Sequence, residues 1–382
     1  MKYVQINAYS GGWAPSVIFK RHKELLKQGH ESYVFWARGD HFQDENQRKI
    51  ATLFDVYKDA FLTRIDGKPG FHSAGTTKRL IRHLEKINPD VVHLHVLLGY
   101  YINIELLFHW LASHHCKVIW THHDCWAFTG HCIYYTYTNC TQWKSGCCAN
   151  GARCPQIKEY PESWFGSDVF LNYQKKRKLF TLLPPERLTL IAPSNWLAQQ
   201  LEESYMGKYE IKVEPNEVDR AIFRRRASNF KTKYGIEKRI TILGVASKWS
   251  ERKGLNDFFR LSEELDDRFA IVVVGLSKQQ LKKVKSIMHT IKCAKFIGLP
   301  KTSSIEELVE IYSSCDVLFN PTKEDNYPTV NLEAEACGLP VITYDTGGCR
   351  ETIRSALSCV VEGYEQAKTE INNLAISNTE IP

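Results

Sequence analysis

The chain has 382 residues, more than one ordinary α/β domain and enough for two or three at roughly 150 residues each. With 43% hydrophobic and 24% charged residues it has a globular composition, which excludes a wholly disordered chain, a collagen-like repeat and a charge-saturated tail protein. Its net charge of +7 is modest and spread along the chain apart from KKRK at 175–178 and RRR at 224–226, runs that read as solvated faces or as attraction to an anionic membrane surface or phosphorylated substrates.

The opening residues, MKYVQINAYSGGW, lack the apolar run and small-residue cleavage site of a signal peptide. A β-branched run predicts a first strand over 4–8, ending in the pair Gly11 and Gly12. Glycines there let backbone amides approach a ligand, although no G-x-G-x-x-G dinucleotide pattern follows. Further strands are expected over 33–37, 91–95, 118–121 and 188–192, alternating with helical spacing such as 77–87. The long apolar stretch 91–112 is broken by His93, His95, Asn103, Glu105 and His109, so it is no spanning helix. Residues 125–161, rich in Cys, Tyr, Gly and Trp, follow neither period and read as a long insertion in the first domain.

In the second half, strands are expected over 240–245, 270–274, 317–320 and 341–344, with helices over 255–265 and 304–314. Runs such as IVVV read as buried on both faces, as parallel strands are. Alternating strands and helices mean parallel sheets covered by helices, and the pattern runs twice. The fold class expected is therefore α/β, with two Rossmann-like doubly wound domains facing across a cleft. Their limits are 1–190, carrying the insertion 125–161, and 191–382. Residues 367–382 read as a weak polar helix and a fraying end.

Four segments bear the residues of a chemical site. In EDNYPTVNLEAEACGLPVITYD, from Glu324 to Asp345, a strand leads into a loop with two acids. Pro328 suits the first position of the next helix and Asn326 its cap, and Gly338 stops that helix. A helix start at the carboxyl end of a parallel strand offers free N–H groups to a diphosphate. Asp325 and Glu333 flank that place; the plain alternative is that one assists capping and the other is solvated. GVASKWSERKGL brings Lys248, Arg252 and Lys253 to another strand end, as a phosphate site or as a solvated helix start. VIWTHHDCWAFTGHC carries His122, His123 and Asp124 just past a strand, where a lone histidine is usually structural. His93 and His95 end the strand before it; Asn103 and Glu105 beyond them suit acceptor hydroxyls or a helix surface.

Seven of the twelve cysteines lie between Cys116 and Cys154. Disulfides are unusual in a reducing compartment, so the cluster points to a metal. Cys132, Cys140, Cys147 and Cys154 would supply four thiolates to a tetrahedral structural zinc, although their spacing is irregular and no C-x-x-C pair occurs. Free buried thiols in an aromatic loop are the alternative.

Together these segments resemble the retaining, family-four glycosyltransferases with the GT-B fold. Asp325 and Glu333 occupy the E-x7-E positions, with Asp in place of the first Glu, and ACGLPVI and the TGG at 346–348 follow as in the family. The IAPS and PNEVD segments resemble its A-x-S and P-N-G-[IV]-D elements, with Glu217 in place of Gly, and the likeness extends over 1–353. The cysteine-rich insertion resembles a bacterial polysaccharide-synthesis branch. The resemblance implies a donor site in the second domain: Glu333 on the ribose, Asp325 on the donor sugar, and Lys248 and Lys253 on the diphosphate. Asn326, Tyr327, Pro328 and Thr329 would form the helix start at that donor site, with Gly12 across from it. It implies His123, Asp325 and Lys253 as catalytic residues, and Gly11, His95 and Asn103 on the acceptor side.

The expected enzyme is a retaining glycosyltransferase. It would move a sugar from a nucleotide-diphosphate sugar to a saccharide or lipid-linked acceptor in surface polysaccharide synthesis. No cofactor is expected for catalysis, since no D-x-D pair for a divalent metal is present, and structural zinc is the one metal considered. No zinc-finger, RRM or basic-zipper signature suggests a nucleic-acid partner. The chain is expected to be cytoplasmic, with peripheral attachment at the inner membrane face. The rivals are a nucleotide-sugar epimerase or phosphorylase and a catalytically silent sugar-nucleotide-binding scaffold.

Overall fold

The computed structural model describes residues 1–11, 13–40, 45–288 and 294–377. The chain forms two compact units, Met1–Glu214 and Pro215–Pro382.

The first unit is a seven-stranded sheet of β1 (Lys2–Tyr9), β2 (Glu31–Arg38), β3 (Gln47–Lys49), β4 (Val91–Leu94), β5 (Lys117–Thr121), β6 (Leu188–Ala192) and β7 (Glu210–Val213). All pairings are parallel, in the order β3-β2-β1-β4-β5-β6-β7. Its helices are α1 (Trp13–Lys27), α2 (Leu53–Asp66), α3 (Ala74–Ile87), α4 (Ile104–Ser113), α5 (Val169–Phe180) and α6 (Asn195–Glu202). Each start has a local cause where a cap is present. Thr52 and Asp55 form a reciprocal capping box at α2, and Asn103, Asp168 and Ser194 each accept an N–H at α4, α5 and α6. The insertion contains only single helical turns, packed around buried Trp126, Phe128, Tyr135 and Trp143.

The second unit repeats the plan with β8 (Ile240–Val245), β9 (Phe269–Val274), β10 (Lys295–Leu299), β11 (Val317–Asn320), β12 (Val341–Tyr344) and β13 (Cys359–Val361), ordered β10-β9-β8-β11-β12-β13. Around it lie α7 (Phe230–Tyr234), α8 (Leu255–Glu264), α9 (Lys278–Met288), α10 (Ile305–Ser314), α11 (Thr329–Ala336) and α12 (Tyr364–Ser377). Every residue of β9 is buried, because one apolar cluster lies on each sheet face. Phe258, Phe319 and Ile371 belong to one cluster, and Tyr312, Leu318 and Val341 to the other.

In both units the strand order reverses beside the first strand, at β1/β4 and at β8/β11. Open α/β sheets bind ligands at such reversal points, outside the strand carboxyl ends.

The boundary expected at 190/191 moves to 214/215. The reason is β7: Thr189 pairs with Glu210 and Ala192 with Val213, which ties the chain through Val213 to the first sheet. Among the described residues no helix is long and apolar enough to cross a membrane.

Candidate functional site

In the second unit, the loop after β8 and the loop after β11 meet through charge. Lys253 Nζ lies 2.5 Å from Asp325 Oδ2, and Arg252 Nη1 is 3.7 Å from the same oxygen. The Asp325 side chain is only 14% exposed. Burial alone would raise its pKa, but the Lys253 ammonium and the Arg252 guanidinium outweigh burial and hold the carboxyl below its ordinary value. Arg252 also donates to the Glu324 carbonyl, and Lys323 N–H to the Arg252 carbonyl at 2.7 Å, so the two loops are stitched by backbone as well.

The glycines of this region are set by crowding. Gly254 takes φ +74° at the start of α8, and a Cβ there would lie 2.3 Å from the Pro321 carbonyl oxygen. Gly347, at φ +57°, passes so close that a Cβ would sit 2.1 Å from the Asp325 carbonyl oxygen, which also accepts Gly348 N–H at 2.9 Å. The TGG turn thus fixes the backbone that carries Asp325.

The helix start differs from expectation. Pro328, expected at the first helical position, is the cap residue, and α11 begins at Thr329. Asn326, expected as the cap, is buried two residues earlier. Asp325 Oδ1 accepts Tyr327 N–H at 3.4 Å, so the loop turns through Tyr327 before the helix opens. No side chain caps α11, and its first-turn N–H groups keep the partial positive charge that suits an anion. Tyr327 is buried and its hydroxyl accepts from Arg354 at 3.3 Å.

Glu333, on the second turn of α11, is buried rather than solvated. Its Oε2 accepts from Tyr312 Oη at 2.9 Å. Burial raises its carboxyl pKa, opposed by the hydrogen bonds from Tyr312 and Thr329. Tyr312, on α10, is a partner that no motif marks. Lys248 stands exposed on the loop after β8, so the basic partners gathered at Asp325 are Lys253 and Arg252.

In the first unit, the ends of β4 and β5 bring three imidazoles together. His93 and His95 stack with ring centroids 4.1 Å apart, and His95 and His123 at 6.0 Å. His93 Nε2 is 2.8 Å from Thr121 Oγ1. Burial drives His93 to about 3 and His123 to about 4, and holds His95 well below its ordinary value. His122 turns away, buried against Trp120 at 4.5 Å, and burial lowers it to about 3. These rings are neutral at physiological pH and can exchange hydrogen bonds with hydroxyls without carrying charge. Asp124 next to them accepts Trp126 N–H at 2.9 Å, and burial raises it to about 6.

Three expectations in this unit need correction or placement. Asn103 is buried rather than a helix-surface residue, and its amide is engaged within the fold: it caps α4 at Leu106 N–H and donates to the Phe71 carbonyl at 2.6 Å. Lys176 of the KKRK run is buried, not solvated; its Nζ lies 2.5 Å from the Trp126 carbonyl oxygen and 4.1 Å from the Trp126 ring, and burial lowers it to about 7. Gly11 is exposed, with nothing within 4 Å of a Cβ placed there, and Gly12 lies outside the described residues.

Cys132, Cys140, Cys147 and Cys154 all line one small cavity, beside Cys148 and His131. Gly130 N–H points at Cys147 Sγ from 3.1 Å. Among the described residues, however, no group of three or more His, Cys, Asp or Glu is arranged to hold a metal ion. Burial pushes Cys147 to about 11 and raises Cys132 and Cys154.

The buried histidines make a pH prediction. Their folded pKa values lie below the unfolded value of about 6.5, so below that pH the unfolded chain binds protons that the native chain does not. Stability is therefore intact above about pH 6.5 and falls as pH drops toward 4, by about 1 kcal/mol per unit for each buried histidine. Calorimetric unfolding should show the midpoint falling by several degrees from pH 7 to 5; a constant midpoint would contradict neutral, buried imidazoles.

The geometry agrees with comparisons to known proteins. The sequence model described as Glycosyltransferase Family 4 matches residues 16–221, more than half of the chain, and that described as Glycosyl transferases group 1 matches 226–378. The chain is 24% identical over 384 residues to the putative colanic acid biosynthesis glycosyl transferase WcaC of Escherichia coli, covering 93% of this chain and 86% of that protein. Among solved structures it resembles sucrose-phosphate synthase from Thermosynechococcus elongatus, with TM-score 0.70, 13% identity, and 99% and 90% of the two chains covered. HepE of Anabaena, solved in complex with UDP-glucose, gives TM-score 0.63, 12% identity and coverage of 99% and 91%. These similarities show the GT-B type of fold, built of two Rossmann-like units. On this fold and these matches, the chain belongs to glycosyltransferase family 4 and is a glycosyltransferase.

Proposed function

We propose that this glycosyltransferase moves a sugar, with retention at the anomeric carbon, from a nucleotide-diphosphate sugar to a lipid-linked saccharide in surface polysaccharide assembly. The observation that carries the reading is the Lys253–Asp325–Arg252 cluster at the β8/β11 reversal, beside an uncapped helix start. Fixed cations and helix N–H groups there would neutralise the charge that grows on a departing diphosphate. Glu333 on the same helix would grip the ribose, and Asp325 the donor sugar. In the retaining step, the C–O bond to the diphosphate breaks while the acceptor oxygen bonds to the same face of the anomeric carbon. The acceptor proton passes to an oxygen of the leaving diphosphate. In the first unit, the neutral imidazoles of His95 and His123 would hydrogen-bond saccharide hydroxyls. The similarity to a colanic acid biosynthesis protein supports a polysaccharide product.

Incubation with UDP-, GDP- and TDP-sugars and a saccharide acceptor, followed by NMR of the product, tests this. Free nucleoside diphosphate and a product with the donor's anomeric configuration are expected. Inversion would reject retention, isomerised donor without acceptor would mark an epimerase, and binding without turnover would leave a scaffold.

Structural zinc on Cys132, Cys140, Cys147 and Cys154 is a separate proposal. It is supported by their convergence on one cavity and by an amide already aimed at one sulfur. The thiols would have to deprotonate and close inward on the ion. Elemental analysis of purified protein is expected to find about one equivalent per chain; metal-free, fully folded protein would leave them as buried thiols.

A further inference from the structure

Helix α2 buries Val56 and Ala60 in the core of the first unit and also carries large apolar side chains on its outer face. Its inward positions include Asp59 and Thr63, with Asp59 accepting hydrogen bonds from Ser73 at 2.5 Å and Thr63 at 3.2 Å. Its outward positions are Leu53, Phe54, Tyr57, Phe61 and Ile65, spaced mainly by four residues along one face. Phe54 is 74% exposed and Tyr57 70%.

The row continues onto the loop before α5. Trp164 N–H donates to the Arg64 carbonyl at 2.7 Å, and the Trp164 ring meets Phe61 edge-on at 6.2 Å. Phe165 next to it is 80% exposed. Asn172 of α5 donates to the Gly67 carbonyl at 2.7 Å, which fixes that loop and α5 against the end of α2. Large apolar side chains gathered this way on a soluble surface mark a face that something covers.

Charge selects the occupant. Lys58 stands exposed within the row, and Lys158 and Lys175 border it, Lys175 lying 5.5 Å from the Phe71 ring. Of the nearby acids, Asp55 pairs with Arg79 at 2.7 Å, Asp66 with Lys68 at 3.9 Å and Glu162 with Arg64 at 3.6 Å, Asp59 is turned inward onto two hydroxyls, and exposed Glu159 follows Lys158 in the chain. Aromatic and aliphatic side chains on one helix face, with lysines set among them, are what lies flat in the boundary of a bilayer. No described helix crosses a membrane, so contact with a lipid-borne substrate would need such a surface.

We propose that the outer face of α2, with Trp164 and Phe165, docks the protein on an anionic lipid bilayer. The proposal deepens the lipid-linked acceptor reading above and rests on it for its purpose, but the contact itself is testable alone.

The test is co-sedimentation of the full chain with vesicles of phosphatidylethanolamine and phosphatidylglycerol, compared with phosphatidylcholine vesicles. The wild type is expected to sediment with the anionic vesicles, with a blue shift in tryptophan emission. Phe54→Ser with Phe165→Ser should weaken partitioning about tenfold or more, because each exposed aromatic contributes its own burial. Lys58→Glu should weaken binding to anionic vesicles selectively. Nucleotide-sugar binding should be unchanged in both variants, since these residues lie outside the donor site.

Wild-type protein that stays in the supernatant with both vesicle types would overturn the proposal. So would a serine variant that sediments like the wild type. A wild-type dimer by light scattering that the serine variant splits would show instead that a second copy covers the face. Loss of vesicle binding with donor binding intact removes this inference alone, whereas absence of donor binding removes the catalytic reading.

Discussion

Lys253→Ala is expected to lower turnover by about 100-fold or more, with a smaller loss of donor affinity. The ammonium is already positioned by Asp325 at 2.5 Å, so it needs little rearrangement when charge develops on the leaving diphosphate. An interaction that strengthens as the bond breaks lowers the barrier more than it tightens ground-state binding. The variant also leaves Asp325 with Arg252 alone at 3.7 Å, and the carboxyl pKa should move up. Lys253→Arg, which keeps the charge, should recover part of the rate. Steady-state kinetics check this: a large rise in KM with unchanged kcat would reject stabilisation of the leaving group.

Glu333→Gln is expected to weaken nucleotide-sugar binding about tenfold or more, since a hydrogen bond to a charged group is worth about 1.5–3 kcal/mol. Glutamine is the better probe than alanine because its carbonyl can still accept from Tyr312, which otherwise loses its partner in a buried place. The loss should appear for the nucleoside diphosphate as well as for the sugar nucleotide, because the assigned contact is to the ribose. Equal affinity in wild type and variant by calorimetry would move the ribose contact elsewhere.

The central strands could be read from sequence and the margins could not. The nine strands expected from β-branched runs are all present. The four that were not expected, β3, β7, β10 and β13, are the two edge strands of each sheet. Edge strands bury less and carry charge against unwanted pairing, so QRK in β3 and EIKV in β7 show no apolar run. Overlooking β7 is also what drew the domain boundary too early.

The residues gathered around Asp325 and α11 were legible for a similar reason. Asp325, Glu333 and the TGG turn lie within one short stretch, so strand, loop and helix are continuous in the sequence. What pairs with them was not, because it arrives through the fold. Tyr312 reaches Glu333 from α10, and Arg252, which the resemblance did not place on the diphosphate, comes to Asp325 only because the two loops meet. Lys176 shows the opposite failure: within a run of four basic residues nothing marks the one that turns inward to the Trp126 carbonyl. Likewise, spacing along α2 reveals an apolar stripe but not that the stripe faces out.

Titration calorimetry of the intact chain with UDP-, GDP- and TDP-sugars, repeated on Lys253→Ala and Glu333→Gln, tests the central assignment most directly. One donor class should bind saturably to the wild type, with the larger affinity loss in Glu333→Gln and the smaller one in Lys253→Ala. Failure of every sugar nucleotide to bind the wild type, or binding that neither substitution alters, would contradict a donor site at the β8/β11 reversal.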